Sequence, residues 1–207
     1  KNHGHAAGGG DFWYKSYKAL IDSIRGNHLR KDNIVFSEEN SECYIPLFDM
    51  LLTVNTPHAN CRIVPLFPTV YSDRVITCAY TYTPTADVTK GEFRYQNMQC
   101  FLYGSQLGWV DPTLLMRDEA KTEATFLRTL MELRKKQHDI FIPGGDNPQI
   151  DVPTFGKNHV VMGSEWQSKD GLRVWYVVNM DTQAHEVILP SGKSLKMKPL
   201  SGKRINL

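Results

Sequence analysis

The sequence predicts a mixed α/β fold with a mainly parallel sheet, followed by a small antiparallel β domain. Up to about residue 140, amphipathic helical segments alternate with short apolar runs, an order typical of βα units. After about residue 158, short runs with period-two alternation are separated by turn-forming residues, and the sequence has no helical periodicity there. We therefore place the first unit at residues 1–145, a Pro/Gly/Asp-rich linker at 146–157 and the β domain at 158–207.

The length limits what the first unit can be. A complete barrel of eight βα units needs about 250 residues, whereas the whole chain has 207 residues. Either the parallel sheet is open, or the chain carries only the later half of a barrel. The first residue is Lys and not Met, which indicates a processed or trimmed chain and leaves the compartment open.

The composition argues against several classes of protein. Hydrophobic content of 41% and charged content of 22% are those of an ordinary globular protein. A net charge of +2 without a dense Lys/Arg run argues against a nucleic-acid groove, and no stretch approaches the roughly 18 apolar residues of a membrane span. The cysteines form no C-x-x-C pair, so buried free thiols are favoured over disulfides or a zinc site: Cys43, Cys61, Cys78 and Cys100.

The N-terminal segment predicts a helix, a strand and a second helix. Asp11 is a suitable N-cap for the first helix, which Gly26-Asn27 would end. Its expected apolar face consists of Phe12, Tyr17, Leu20, Ile21 and Ile24. A short apolar strand is expected at Ile34–Phe36, and a helix from Ile45 to about Leu52.

Further along the chain, apolar runs predict strands at Arg62–Phe67 and Cys100–Tyr103. The clearest helical periodicity lies between Arg117 and Gln137, with basic residues at its C-terminal end, as the helix dipole favours. In the β domain the expected strands are Val160–Met162, Arg173–Val178, Glu186–Leu189 and Ser194–Lys198.

The most informative feature is the acidic exit of the strand Ile34–Phe36. Glu38, Glu39 and Glu42 follow this strand closely, with Asn40 among them. Carboxylates at the carboxyl end of a parallel strand are well placed for acid/base chemistry. The alternative interpretation is an ordinary solvated exit from a strand into a loop.

A resemblance to a known family rests on several segments. The sequence resembles a family of large, uncharacterised glycoside-hydrolase-like barrel proteins of Bacteroidetes, related to the α-amylase and α-galactosidase barrels. Four segments carry the resemblance, together with a final helix before a terminal β-sandwich: His3 to Gly10, Ser37 to Ile45, Pro65 to Asp73, and Gly104 to Trp109.

The resemblance implies a retaining type of site with two carboxylates on successive strands. It implies that Glu38 is the acid/base and that the nucleophile lies upstream of Lys1, in an N-terminal remainder of the same protein. A carbohydrate substrate and a periplasmic, cell-surface or secreted location are also implied by the resemblance. No cofactor is expected.

Glycoside hydrolysis requires two carboxyl groups that flank the scissile bond, about 5 Å apart for retention and about 6.5–9.5 Å apart for inversion. Glu38 is the preferred acid because it directly follows the strand and so has a fixed position. Glu39 would point to the opposite side, because side chains alternate along extended backbone. Glu42 is the second catalytic candidate: it could be the acid itself, bind a sugar hydroxyl or orient Glu38.

The remaining candidates would bind substrate, and each has a structural alternative. Asp73 could contact a sugar hydroxyl or cap a turn, Tyr71 could bind or pack, and Trp109 could stack on a sugar or lie in the core. Asn40 is placed beside the carboxylates. His3 and His5 could bind substrate or be ordinary loop residues, and no further ligands suggest a metal.

The sequence therefore predicts a glycoside hydrolase, present as its C-terminal portion. The alternative is a non-catalytic carbohydrate-binding or scaffold protein with a degenerate barrel site. An α/β-hydrolase is disfavoured because the sequence lacks a Gly-x-Ser-x-Gly elbow. The site prediction also requires that Glu38, Asp73 and the Gly104–Trp109 loop converge at one edge of the sheet.

Overall fold

The structure, a computed structural model, describes residues 10–30, 32–38, 41–53, 66–78, 91–136, 149–151, 154–155, 160–167 and 171–207. Its N-terminal part contains a parallel sheet of three strands in the order β1-β2-β3. The strands are β1 (Phe36–Ser37), β2 (Met50–Leu52) and β3 (Ile76–Cys78), and the helices are α1 (Phe12–Asn27) and α2 (Leu66–Tyr71). This part confirms the predicted mixture of helices and parallel strands.

One face of the parallel sheet packs against α1. Ser37, Leu51 and Thr77 are register partners and therefore share a face, since bridged residues of neighbouring strands point the same way. Leu51 is fully buried in a core that includes Ile21 of α1 and Val75. The predicted apolar face of α1 is correct at Tyr17, Ile21 and Ile24, whereas Phe12 and Leu20 are exposed.

The predicted helix from Ile45 to Leu52 is wrong. A turn of 3-10 helix at Glu42–Tyr44 is followed by further turn residues, and the chain then enters β2. β2 is the central strand of the sheet. Buried parallel strands are continuous apolar runs, and periodicity cannot distinguish such a run from a piece of buried helix.

Two predicted strands are also wrong. Leu66 and Phe67 lie in α2, while residues 62–65 of that expected strand lie outside the described residues. The run Cys100–Tyr103 closes helix α3 (Glu92–Leu102). Residues 96–102 of this helix are all buried, so no polar face reveals the helical period. The short strand β3 was not predicted.

The final predicted helix is confirmed as α5 (Lys121–Lys136), which follows the short helix α4 (Pro112–Leu115) and a 3-10 turn at Asp118–Ala120. The β-rich segment predicted after residue 158 is confirmed as well, but it begins earlier, because two strands form within residues 146–157, which were predicted to be a linker. Its strands are β4 (Gln149–Asp151), β5 (Thr154–Phe155), β6 (Val161–Gln167), β7 (Arg173–Asn179), β8 (His185–Ile188), β9 (Ser194–Met197) and β10 (Ser201–Asn206). β10 was not predicted, and it pairs antiparallel with β7 along six residues.

The antiparallel sheet has the order β10-β7-β6-β4, with β5 also paired to β6. One face carries Trp166 and Tyr176, which share a core with Phe101 of α3 and Phe126 of α5. The other face carries Trp175, which packs with residues of the β8–β9 hairpin. Helices α3 and α5 therefore belong to the same hydrophobic core as the antiparallel sheet.

Two partly buried arginines bind α3 and α5 to neighbouring segments. Arg134 of α5 donates from Nη1 to the carbonyl of Ser105 (2.5 Å) and from Nη2 to that of Phe101 (3.3 Å). Burial lowers the pKa of Arg134 to about 10, so the guanidinium still carries its charge at neutral pH. Arg94 of α3 pairs with buried Glu123 (3.2 Å) and donates to the carbonyl of Met180 (2.7 Å), in the connection after β7.

Three of the cysteines lie among the described residues and all are free thiols. Cys78 and Cys100 are buried, as predicted, and burial raises the pKa of Cys78 to about 11. Cys43 is exposed, which contradicts the prediction, because the 3-10 turn that contains it lies at the surface. Cys61 lies outside the described residues.

The close approach of α5 to β10 gives a stability prediction. A Cβ added at Gly202 would lie 2.7 Å from Cδ2 of Leu133, so Gly202→Ala should lower the free energy of unfolding by about 1–3 kcal/mol. In a Leu133→Ala background, Gly202→Ala should lower the free energy of unfolding by a smaller amount. Urea unfolding would measure both differences.

Gly26→Ala is the matched control, because a Cβ at Gly26 meets nothing within 4 Å and the site is helical. It should be neutral or stabilising. If Gly202→Ala lowers the free energy of unfolding equally in the wild type and in the Leu133→Ala background, this packing account is wrong.

Candidate active site

Glu38 lies at the carboxyl edge of the parallel sheet. It directly follows β1, and its side chain is exposed. At the same edge Thr53 follows β2, and it donates to the carbonyl of Cys78 from its backbone N–H (2.9 Å) and its hydroxyl (3.3 Å). The ends of β2 and β3 are thereby fixed together, next to the strand that carries Glu38.

Glu38 lies on the face of the sheet that is turned away from α1. Phe36, Met50 and Ile76 are register partners and lie on this face, opposite to Leu51. Phe36 is 57% exposed and Ile34, two residues before it, is 63% exposed. Glu38 is two residues beyond Phe36, so it continues this apolar row at the carboxyl edge.

Glu42 has a partner on the helix-covered side. The hydroxyl of Tyr71 donates a hydrogen bond to the Glu42 carboxylate, and this contact raises the pKa of Tyr71 because a nearby anion disfavours ionisation of the phenol. The Tyr71 ring lies 4.9 Å from the ring of Phe67, and both pack against the core that contains Leu51. The pair fastens the turn after β1 to the end of α2.

Asp73 lies at the end of the parallel strands opposite to Glu38. It follows α2 and precedes β3, so it is at the amino end of the parallel strands, where it pairs with Arg74 (3.0 Å). The predicted convergence of Asp73 with Glu38 is therefore wrong. The error arises because residues 66–71, taken as the end of a strand, form the helix that returns the chain to the amino edge.

The loop Gly104–Trp109 lies beside β3. Gln106 N–H donates to the carbonyl of Thr77 (2.8 Å), and the hydroxyls of Ser105 and Thr77 are 2.5 Å apart. Gly104 and Gly108 both have positive φ, which the loop needs in order to turn there, and Trp109 is half-buried. Since β2 lies between β1 and β3, about three strand spacings, or roughly 14 Å, separate this loop from β1.

Three predicted substrate contacts, His3, His5 and Asn40, lie outside the described residues, as does Glu39. Among the residues that the structure does describe, no group of three or more His, Cys, Asp or Glu side chains could hold a metal ion. In the same part of the chain, no helix combines the length and the apolar character needed to cross a membrane.

Asp49 is a residue of this region that the sequence analysis missed. It precedes β2, and its carboxylate accepts hydrogen bonds from Val35 N–H and from Arg25, each at 2.8 Å. A single acid inside the apolar run Phe48-Asp49-Met50 was the available signal, because an acid in such a run needs a partner. The Thr77–Ser105 contact had no comparable signal in the sequence.

These observations define a class of protein: a mixed α/β chain with an exposed carboxylate at the carboxyl edge of a parallel sheet and an antiparallel β region after it. Comparison with known proteins agrees with this class. The chain is 46% identical over 215 residues to a protein of Bacteroides thetaiotaomicron named "Putative glycoside hydrolase". The alignment covers 99% of this chain and 32% of that protein, so the chain spans about a third of its relative's length.

Two further comparisons bear on the fold and the family. Residues 1–82 match the family described as "Domain of unknown function (DUF6259)". The structure is similar to α-galactosidase I from Mortierella vinacea, with a TM-score of 0.51 and 10% sequence identity, over 95% of this chain and 60% of that one. At this identity the likeness concerns the fold alone.

The Glu42–Tyr71 contact makes a testable prediction. Glu42→Gln should lower the pKa of Tyr71 toward its ordinary value, because the substitution removes the anion beside the phenol. Since folding raises the pKa of Tyr71, the contact stabilises the fold below the ordinary tyrosine pKa and is lost as pH rises through the folded value. NMR titration of the tyrosine ring carbons would measure the shift, with Tyr71→Phe to assign the signal.

Glu119→Gln, at an exposed site in the 3-10 turn before α5, is the control and should leave the Tyr71 titration unchanged. If Tyr71 titrates at the same pH in wild type and in Glu42→Gln, the contact does not exist in solution.

Proposed function

We propose that the chain is the C-terminal part of a glycoside hydrolase and that Glu38 is its general acid/base. The observation that carries the proposal is the agreement of two independent features. The relative named a glycoside hydrolase is similar along nearly the whole chain, and Glu38 is exposed at the carboxyl edge of a parallel sheet. Barrel enzymes build their active sites at this edge.

The chemistry follows from the position of the carboxyl group. A glycosidase acid donates a proton to the leaving oxygen, and the same group, now a carboxylate, activates the water that completes hydrolysis in a retaining enzyme. The second carboxylate, the nucleophile, would come from the N-terminal part of the same protein. That part would also supply the remaining strands of a barrel and cover the apolar row of Ile34 and Phe36.

Within this proposal, Glu42 and Tyr71 support the site by holding the turn after Glu38. Trp109 is a candidate for stacking on a sugar at the far side of the sheet, and His3, His5 and Asn40 remain candidate contacts to sugar hydroxyls. The substrate is a carbohydrate, and export to the periplasm or cell surface is part of the proposal.

The second candidate is a non-catalytic carbohydrate-binding or scaffold protein with a degenerate barrel site. The match of residues 1–82 to a family without an assigned function keeps this candidate open, because those residues include Glu38. Sugar binding without hydrolysis of any glycoside by the full-length protein would favour it.

The test is Glu38→Gln in the full-length protein. For a glycoside with a poor leaving group, kcat/KM should fall by about 10²–10⁴, the usual contribution of general acid/base catalysis. An activated aryl glycoside, whose leaving group needs little protonation, should be affected much less in its first step. Glu119→Gln is the matched control, and it should leave both activities unchanged.

Unchanged turnover of the poor-leaving-group glycoside by a folded Glu38→Gln protein would overturn the assignment of the acid. Circular dichroism and the unfolding midpoint would establish that the variant is folded.

A further inference from the structure

Asp49 joins four elements of the N-terminal part. Its Oδ2 accepts the N–H of Val35 and Nη2 of Arg25 on α1, each at 2.8 Å. Its backbone N–H donates to the carbonyl of Val35 (2.9 Å), and its own carbonyl accepts the N–H of Ile76 (3.3 Å). This residue, which itself leads into β2, thus contacts α1, the segment that leads into β1, and β3.

The bonds to Val35 matter because β1 is short. It is the edge strand of the three and pairs with β2 through two residues, Phe36 with Met50 and Ser37 with Leu51. Asp49 extends this pairing by one step, with its carboxylate accepting the Val35 N–H and its backbone N–H bonded to the Val35 carbonyl. Two hydrogen bonds are a large addition to so short a ladder.

The register of β1 decides where Glu38 points. A shift of one residue would move each side chain of the strand to the opposite face. Glu38 comes three residues after Val35, so the Val35–Asp49 contact fixes the strand close to the proposed acid. Among the described residues β1 pairs with β2 alone, so the two hydrogen bonds between Val35 and Asp49 are a large share of the contacts that oppose such a shift.

Arg25 completes the arrangement. Its guanidinium pairs with Asp49, and Nη2 is also 3.5 Å from the carbonyl of Leu47. The Asp49 side chain is 42% exposed and that of Arg25 is 38% exposed, so both remain partly hydrated and the Coulomb attraction is modest. The main role of Arg25 is to orient the carboxylate toward the Val35 N–H.

We propose that Asp49, oriented by Arg25, is a positioning residue that holds β1 in register and thereby places Glu38. This inference rests on the proposed function for its catalytic consequence, but its structural part can be measured without any substrate. Three variants separate the contributions. Asp49→Asn keeps an oxygen acceptor for Val35, Asp49→Ala removes it, and Arg25→Gln removes the cation.

The first measurement is hydrogen exchange at the amides of residues 34–38 in the full-length protein. In Asp49→Ala, exchange at Val35 should be about tenfold faster or more, because its N–H loses its acceptor and local opening becomes easier. In Asp49→Asn, the exchange rate at Val35 should lie between the rates of Asp49→Ala and the wild type. Asp22→Ala is the matched control, since Asp22 pairs with Lys18 (2.6 Å) on the exposed side of α1. It should leave these amides unchanged.

The second measurement is the kinetics of the same variants. With a poor-leaving-group glycoside, Asp49→Ala should lower kcat by about tenfold to a hundredfold with little change in KM, because a displaced acid slows the proton transfer more than binding. Asp49→Asn should recover much of the loss. An activated aryl glycoside should be affected less, a difference that general destabilisation would not produce.

The outcomes separate the two proposals. Unchanged exchange at Val35 in Asp49→Ala would overturn the role in register, whatever the activity. Faster exchange with normal kcat in an active enzyme would overturn the link to Glu38. If the wild type cleaves no glycoside, the proposed function fails, and the exchange result alone decides whether Asp49 holds the strand.

Discussion

The partly buried guanidinium of Arg134 binds α5 to the end of α3 and, through Ser105, connects both to the parallel sheet. It lies on α5, inside the core shared with the antiparallel sheet, and it donates to the carbonyls of Phe101 and Ser105 at the end of α3. A cation suits this place because the carbonyls at a helix C-terminus are partly negative. Ser105 in turn contacts Thr77 in β3. Together with the hydrogen bond from Gln106 to Thr77, this partly buried cation thus links the parallel sheet to the helices that pack on the antiparallel sheet.

Further hydrogen bonds connect β3, across the parallel sheet, to the strand that precedes the proposed acid. β3 is bonded to β2 through Thr53 at one edge and through Asp49 at the other, and Asp49 also holds the segment leading into β1. Glu38 is at the far end of this series of contacts, after the strand that has the fewest paired residues in the described part of the sheet. A carboxyl group that must protonate a leaving oxygen needs a fixed position, so the polar contacts behind it matter as much as the acid itself.

The sequence was sufficient where a helix or strand has one buried and one exposed side. α5 is of this kind, and it was predicted close to its observed place. The strands β6 to β9 were also predicted close to their observed places, although β6 and β7 are buried at nearly every residue, because turn-forming residues separate the strands. The sequence was insufficient for α3, because a helix buried on all sides has no period to detect, and for β2, because a strand of three residues is too short to show one. The address of Glu38 directly after a strand was correct. The predicted position of Asp73 was wrong, because it depended on taking α2 for a strand. The supporting role of Asp49 could not be predicted, because it depends on contacts between segments that are distant in sequence.

The central claim is that Glu38 forms half of a two-carboxylate site. The most direct test is the structure of the full-length protein, in which the distance from the Glu38 carboxyl group to the nearest carboxylate of the N-terminal part can be measured. A separation of about 5–5.5 Å, or about 6.5–9.5 Å for an inverting enzyme, is the predicted result. A Glu38 side chain that faces solvent, with the nearest carboxylate of the N-terminal part well beyond about 10 Å, would contradict the claim.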